Sequence, residues 1–305
     1  MRVAITGSTG LVGSEMVAVL SAAGHEVVRL VRRVPAPGEK GVLRWDPVKR
    51  EVDAAKIEGS DAVLHLAGEN VGAGRWTAAR KAAIRDSRVN GTRLLCDTLA
   101  GLDRPPETLV CASAIGFYGD RGAEPLTEES SPGTGFLSEV CREWEAASEP
   151  AVRKGIRVVT LRIGVVLSPK GGALSRMLPV FRAGLGGVIG NGRQYVSWIA
   201  LDDLVGVVLH ALRSGELRGP VNAVAPRPVT NRELTEALGK ALSRPTPLPV
   251  PAFALRLAVG GEMADALLLA SARVVPRRLE ETGYRFRFPE LPAALRHLLG
   301  KGKTP

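Results

Sequence analysis

Gly7, Gly10 and Gly13 stand at three-residue spacing directly after a short apolar run near the N-terminus. Residues 2–6 (RVAIT) include β-branched Val3, Ile5 and Thr6 and predict a strand. Residues 11–20 switch to helical spacing, and Gly24 closes the run. Strand, glycine turn, helix is the context in which such a fingerprint binds a dinucleotide. The glycines let backbone approach a pyrophosphate and let the helix pack on the strand. The helix N-terminus then presents free N–H groups to the phosphates. Gly7, Thr9, Gly10, Leu11, Val12 and Gly13 are the expected phosphate loop. The competing reading is a glycine turn in an α/β protein that binds nothing.

The second strand bears on which dinucleotide. Residues 25–31 end in Arg32 and Arg33, with no Asp or Glu at that point. An acidic residue there accepts the ribose 2′-OH of NAD, whereas arginine accommodates a 2′-phosphate. The forked guanidinium also suits phosphate geometrically. NADP(H) is therefore favoured over NAD(H). The alternative is that both arginines are solvated charges after a strand.

Further strands are predicted at residues 42–45, 61–66, 108–112 and 156–161, and helices at 77–102 and 136–152. Strands alternating with helices predict a parallel sheet covered on both faces. The expectation is a Rossmann-like, doubly wound α/β fold with a smaller, mostly helical C-terminal lobe. Residues 1–165 would form the dinucleotide-binding core, its sheet completed by parts of 194–230. Residues 166–305 would form the lobe, with short helices near 173–183, 202–212 and 231–242. Residues 244–251 (RPTPLPVP) read as an extended linker, and 244–305 as a helical, basic C-terminal segment.

The 305 residues carry a formal charge of +10, but no basic run reaches five residues and no aromatic-basic RNA motif occurs. The charge suits an anionic cofactor or substrate, and nucleic acid is not expected as a partner. Cys96, Cys111 and Cys141 have neither metal nor redox spacing, and the four histidines are isolated. No metal is expected. The N-terminus runs straight into a strand, and the apolar stretch 251–275 contains four charges. Neither a signal peptide nor a membrane span is expected, so a cytoplasmic monomer or homodimer is the default.

Several strings together resemble the extended short-chain dehydrogenase/reductase family of nucleotide-sugar epimerases and dehydratases. They are GSTGLVG (7–13), DAVLHLAG (61–68), SRVNGT (87–92), SAIGFYG (113–119) and LRIG (161–164). A narrower likeness is to an atypical "epimerase family protein" subgroup with a C-terminal domain of unknown function. It rests on GENVGAGRW (68–76), GFYGD with LTEES (116–120, 126–130), FLSEVCREWE (136–145), GGALSRMLPVFRAGLGG (171–187) and SWIALDDL (197–204). The resemblance implies a nicotinamide cofactor at the carboxyl ends of the strands, contacted also by Leu66, Ala67, Gly68, Glu69 and Arg162. It implies hydride chemistry at a sugar-like carbon, with the small-molecule substrate near the C-terminal lobe.

The chain departs from the family where a Tyr-x-x-x-Lys turn supplies the acid/base and a lysine that holds the nicotinamide ribose. Here that turn is Phe136-Leu-Ser-Glu-Val140. Ser113 is a candidate to polarise a substrate oxygen, or a plain turn serine. Tyr118 is the remaining candidate acid, or a packed aromatic. Lys81 can approach the site or be a solvated helix lysine. Glu69 and Arg75 follow a strand end where loops reach cofactor and substrate. Trp76, Tyr195 and Trp198 are candidates to line a pocket or to pack in the core. Asp46 is placed to reach the adenine end of the cofactor. Two functions follow: an NADP(H)-dependent oxidoreductase or epimerase with a modified site, or a non-catalytic NADP(H)-sensing regulator. A nucleic-acid-binding protein has only the net charge in its favour.

Overall fold

The structure, a computed structural model, describes residues 1–301. The chain enters in β1 (Arg2–Thr6), turns into α1 (Leu11–Ala22), and returns as β2 (Glu26–Val31) and β3 (Val42–Asp46). Val3, Ala4 and Ile5 are wholly buried. A central strand covered on both faces reads as a continuous apolar run, not an alternation. The short β4 (Glu51–Val52) and one-turn α2 (Ala54–Ile57) lead to β5 (Ala62–His65), α3 (Ala78–Ala100) and β6 (Thr108–Ala114). Thr77 caps α3 by accepting from the Arg80 N–H.

Beyond a 3-10 turn at Ile115–Tyr118 lie β7 (Pro125–Leu126), α4 (Phe136–Ala146), α5 (Glu149–Arg153) and β8 (Arg157–Ile163). The single helix predicted over 136–152 is thus two. Pro150 is the reason: it lacks an N–H and stands in the first turn of α5, where none is needed. Next come β9 (Val165–Ser168), α6 (Gly172–Arg182), β10 (Tyr195–Val196), β11 (Trp198–Ala200), α7 (Leu201–Arg213) and β12 (Gly219–Ala223). The chain continues through β13 (Val229–Thr230) and α8 (Asn231–Leu242), which begins in a full capping box between Thr230 and Glu233. The C-terminal part holds α9 (Ala252–Val259), α10 (Gly261–Ala264), β14 (Arg273–Val274), α11 (Arg277–Glu281) and α12 (Leu291–Leu298). It is helical apart from β14, which pairs with β7 and ties this part to the core.

Eight strands form one sheet in the order β12-β8-β6-β5-β1-β2-β3-β4. Only β3–β4 is antiparallel; the other pairs are parallel. From β1 the chain builds outward through β2 and β3, and from β5 it builds the other way through β6 and β8. The reversal falls between β1 and β5, and the crevice at such a switch point is where doubly wound sheets bind ligands. The register puts Thr6 opposite both Leu30 and His65. No helix among the described residues is long and apolar enough to cross a membrane.

Candidate dinucleotide cleft

A cleft of about 370 Å³ opens at that switch point. Its floor is the glycine turn, Gly7 to Gly10, and its walls are the ends of β2, β3 and β5. Gly7 has φ +70°, and a Cβ there would lie 2.7 Å from the Leu66 carbonyl carbon. A side chain at Gly13 would meet the Gly7 carbonyl oxygen at 2.1 Å, so α1 packs on the turn only because that position is bare. At Gly10 nothing but the Gly7 oxygen lies within 4 Å of an added Cβ. Gly10 also caps α1 without any side-chain bond, leaving the first-turn N–H groups available.

The turn is set by a buried polar chain. The Thr6 hydroxyl lies 2.7 Å from His65 Nδ1, and His65 Nε2 lies 3.0 Å from the Thr92 hydroxyl. Thr92 also accepts from the Trp144 indole at 2.9 Å. Thr6 Oγ1 in turn accepts from the Leu66 and Ala67 N–H groups, which fixes the strand end lining the cleft. Complete burial lowers the His65 pKa to about 4, so the imidazole is neutral near pH 7.

Of the residues expected at the cofactor, Gly7, Thr9, Gly10, Arg32, Arg33, Leu66, Ala67, Gly68 and Glu69 line the cleft. The two arginines differ. Arg33 is engaged by Glu39 through both guanidinium nitrogens, and this contact holds the Glu39 carboxyl down to about 2. Arg32 is 71% exposed and has only a 3.7 Å contact with Glu69. Glu69 is further held by Arg80 at 3.2 Å.

Several expected residues stand elsewhere. Leu11 turns its side chain toward Gly171, and Val12 packs on the main core. Asp46 caps the Val48 and Lys49 N–H groups and pairs with Arg44, outside the cleft lining. Its neighbour Trp45 lines the cleft in its place, because successive strand side chains point to opposite faces. Arg162 is not a cleft residue either: it is 4% exposed and bonds the Glu145 carboxylate through two nitrogens at 2.9 Å. Ser113 is 3% exposed and donates to the same carboxylate at 2.7 Å. Tyr118 is fully buried, and its hydroxyl is taken up by Asn222 at 2.7 Å, the Thr127 carbonyl at 2.9 Å and Arg162 at 3.0 Å. Burial pushes its phenol upward in pKa. A group so placed holds the fold. Trp198 is likewise core, bonded to the Arg227 carbonyl, while Tyr195 is half-buried under Arg273.

Phe136 occupies the first position of α4, in edge contact with Trp76 at 5.1 Å. Lys81 Nζ stands 4.8 Å over the Phe136 ring and pairs with Glu262 of α10 at 2.6 Å. Arg75 donates to the Leu257 and Ala258 carbonyls at the end of α9. The C-terminal helices thus touch the core beside the turn where an acid would be sought. A separate cavity of about 460 Å³, at Asp120, Arg193 and Arg256, shares no lining residue with the cleft.

Sequence reasoning missed Ser8, Leu30, Val31, Trp45, Pro47 and Ser87 as lining residues. Trp45 and Pro47 bracket Asp46 at the end of β3, and both line the cleft. Ser87 lies in the SRVNGT string and accepts from the Glu69 N–H at 3.1 Å. The cleft fits a dinucleotide. Trp45 Nε1 is buried in its wall with no acceptor among the described residues. A bare helix terminus lies at its floor and an exposed arginine, Arg32, at its rim.

The sequence matches the model of the NAD dependent epimerase/dehydratase family over residues 3–223, and that of a domain of unknown function (DUF1731) over 250–298. It is 47% identical to an epimerase family protein of Mycobacterium bovis over 293 residues, covering 96% of each chain. The fold is similar to the crystal structure of human epimerase family protein SDR39U1 (isoform 2) with NADPH. That match has TM-score 0.89 and 35% identity, and covers 98% of this chain and 99% of that one. A UDP-glucose 4-epimerase from Thermus thermophilus, in complex with NAD, shares the fold at TM-score 0.73 and 22% identity, over 98% and 99% of the two chains.

Proposed function

The chain belongs to the NAD-dependent epimerase/dehydratase family, and from that premise we propose that it binds NADP(H) in preference to NAD(H) and acts as an oxidoreductase or epimerase on a small hydroxyl- or carbonyl-bearing molecule. The observation that carries the reading is the cleft at the switch point, with Arg32 exposed at the end of β2 and only loosely paired with Glu69 at 3.7 Å. The NADPH named with the human relative agrees with it. Gly7 to Gly10 and the α1 terminus would hold the pyrophosphate, Arg32 the 2′-phosphate, and Trp45 Nε1 an acceptor on the adenosine half. When bound, the cofactor supplies or accepts hydride at the substrate carbon. Lys81, paired with Glu262 at 2.6 Å, stands 4.8 Å over the Phe136 ring at the turn that lacks tyrosine.

A second reading has a specific observation behind it. Phe136 and Val140 replace the expected acid and cation, and Ser113 and Tyr118 are committed inside the fold. The protein would then sense NADP(H) without turnover.

The test is thermal unfolding with NADPH and with NADH. A ligand at a hundredfold excess over Kd stabilises by about 2.7 kcal/mol. A shift with NADPH well above that with NADH supports the cofactor reading, and no shift with either overturns it. A carbonyl panel followed by NADPH oxidation then separates the enzyme from the sensor.

A further inference from the structure

The cavity of about 460 Å³ away from the cleft is built from three distant stretches of chain. Asp120 comes from the loop after the 3-10 turn, Arg193 and Gln194 from the approach to β10, and Arg256 and Leu269 from the C-terminal part. Ser271 pins these stretches together. Its N–H donates to Asp120 Oδ1 at 3.2 Å, its hydroxyl donates to the Gly122 carbonyl, and its Oγ accepts from the Tyr195 N–H at 2.9 Å.

The lining sets spare cationic donors beside spare acceptors. Arg193 is exposed, and its guanidinium has no partner among the described residues. Arg256 engages Asp265 through Nε and Nη2, each at 2.9 Å, which leaves Nη1. Asp120 Oδ1 accepts from the Gly122 and Ser271 N–H groups, and Oδ2 has no partner among the described residues. Gln194 is 7% exposed, and its Nε2 donates to the Ile189 and Leu268 carbonyls at 3.1 and 3.3 Å. Both amide hydrogens are then used, so the carboxamide is locked and Oε1 is left as a fixed acceptor. Leu269, Ala123 and Ala252 supply apolar wall.

Two forked cations suit a phosphate better than a carboxylate, which one guanidinium satisfies. Acceptors that lack donors call for hydroxyls. The volume is that of a small-molecule site. We propose that this cavity binds a phosphorylated sugar or polyol, with its phosphate on Arg193 and Arg256 and its hydroxyls on Asp120 and Gln194. The cavity shares no lining residue with the cleft, so this ligand binds whether or not NADPH is present.

The experiment is calorimetry with glucose 6-phosphate, ribose 5-phosphate and glycerol 3-phosphate, with inorganic phosphate and glucose as controls. At least one phosphorylated probe should bind the wild type more tightly than either control, and equally well with NADPH at saturation. Arg193→Gln should weaken that probe about 10- to 100-fold, the range for a lost charged hydrogen bond. Its unfolding midpoint should match the wild type, because Arg193 has no side-chain bond to lose. Arg256→Gln, on a different element, should weaken the same probe. The proposal is overturned if none of the three probes binds, or if inorganic phosphate binds as tightly as they do. Wild-type affinity in both arginine variants overturns it too, as does competition by NADPH, which would put the probe in the cleft.

Discussion

The carboxylate of Glu145 accepts two hydrogen bonds from the guanidinium of Arg162, each 2.9 Å long. Their side chains are 16% and 5% exposed, so the pair is inside the protein. Breaking one member of a buried pair leaves an uncompensated charge and costs about 3–5 kcal/mol. Glu145→Gln should lose stability on that scale in urea unfolding, while NADPH affinity is kept. A loss confined to cofactor binding would return Arg162 to the cleft.

Tyr118→Phe removes the hydroxyl shared by Asn222, the Thr127 carbonyl and Arg162. Leaving buried partners unsatisfied should cost about 1–3 kcal/mol. Denaturant midpoint and NADPH titration read the two sides of this prediction. Unaltered stability with weakened NADPH would show the hydroxyl facing the cofactor.

His65 predicts a pH dependence. Its folded pKa is about 4 against the usual 6.5, so between those values the unfolded chain binds the extra proton. Stability should therefore rise from pH 4 to 6.5 and level off above, by about 3 kcal/mol from this group. His65→Gln keeps polar atoms for Thr6 and Thr92 but does not titrate. Subtracting its profile from that of the wild type should leave the His65 slope, and identical profiles would refute it.

Arg32→Ala should weaken NADPH about 10- to 100-fold and NADH little, since only the 2′-phosphate is lost as a partner. Arg33→Ala should do less, because Arg33 is already engaged by Glu39. Fluorescence titration with both cofactors decides it. Equal losses in Arg32→Ala would remove the 2′-phosphate assignment.

The local pattern of the sequence determined the frame. The strand–glycine–helix opening, the arginines ending β2 and the absence of Tyr-x-x-x-Lys are all short-range features, written within a few residues of one another. Apolar runs between turn signals marked which segments form strands. Partnership across the chain was not written there. Tyr118 meets Asn222 at a separation of 104 residues, and Lys81 meets Glu262 at 181. Whether a tyrosine faces a cleft or a core depends on what the sheet register brings opposite it. Trp45 and Asp46 differ by one residue, yet the pleat sends only one of them into the cleft.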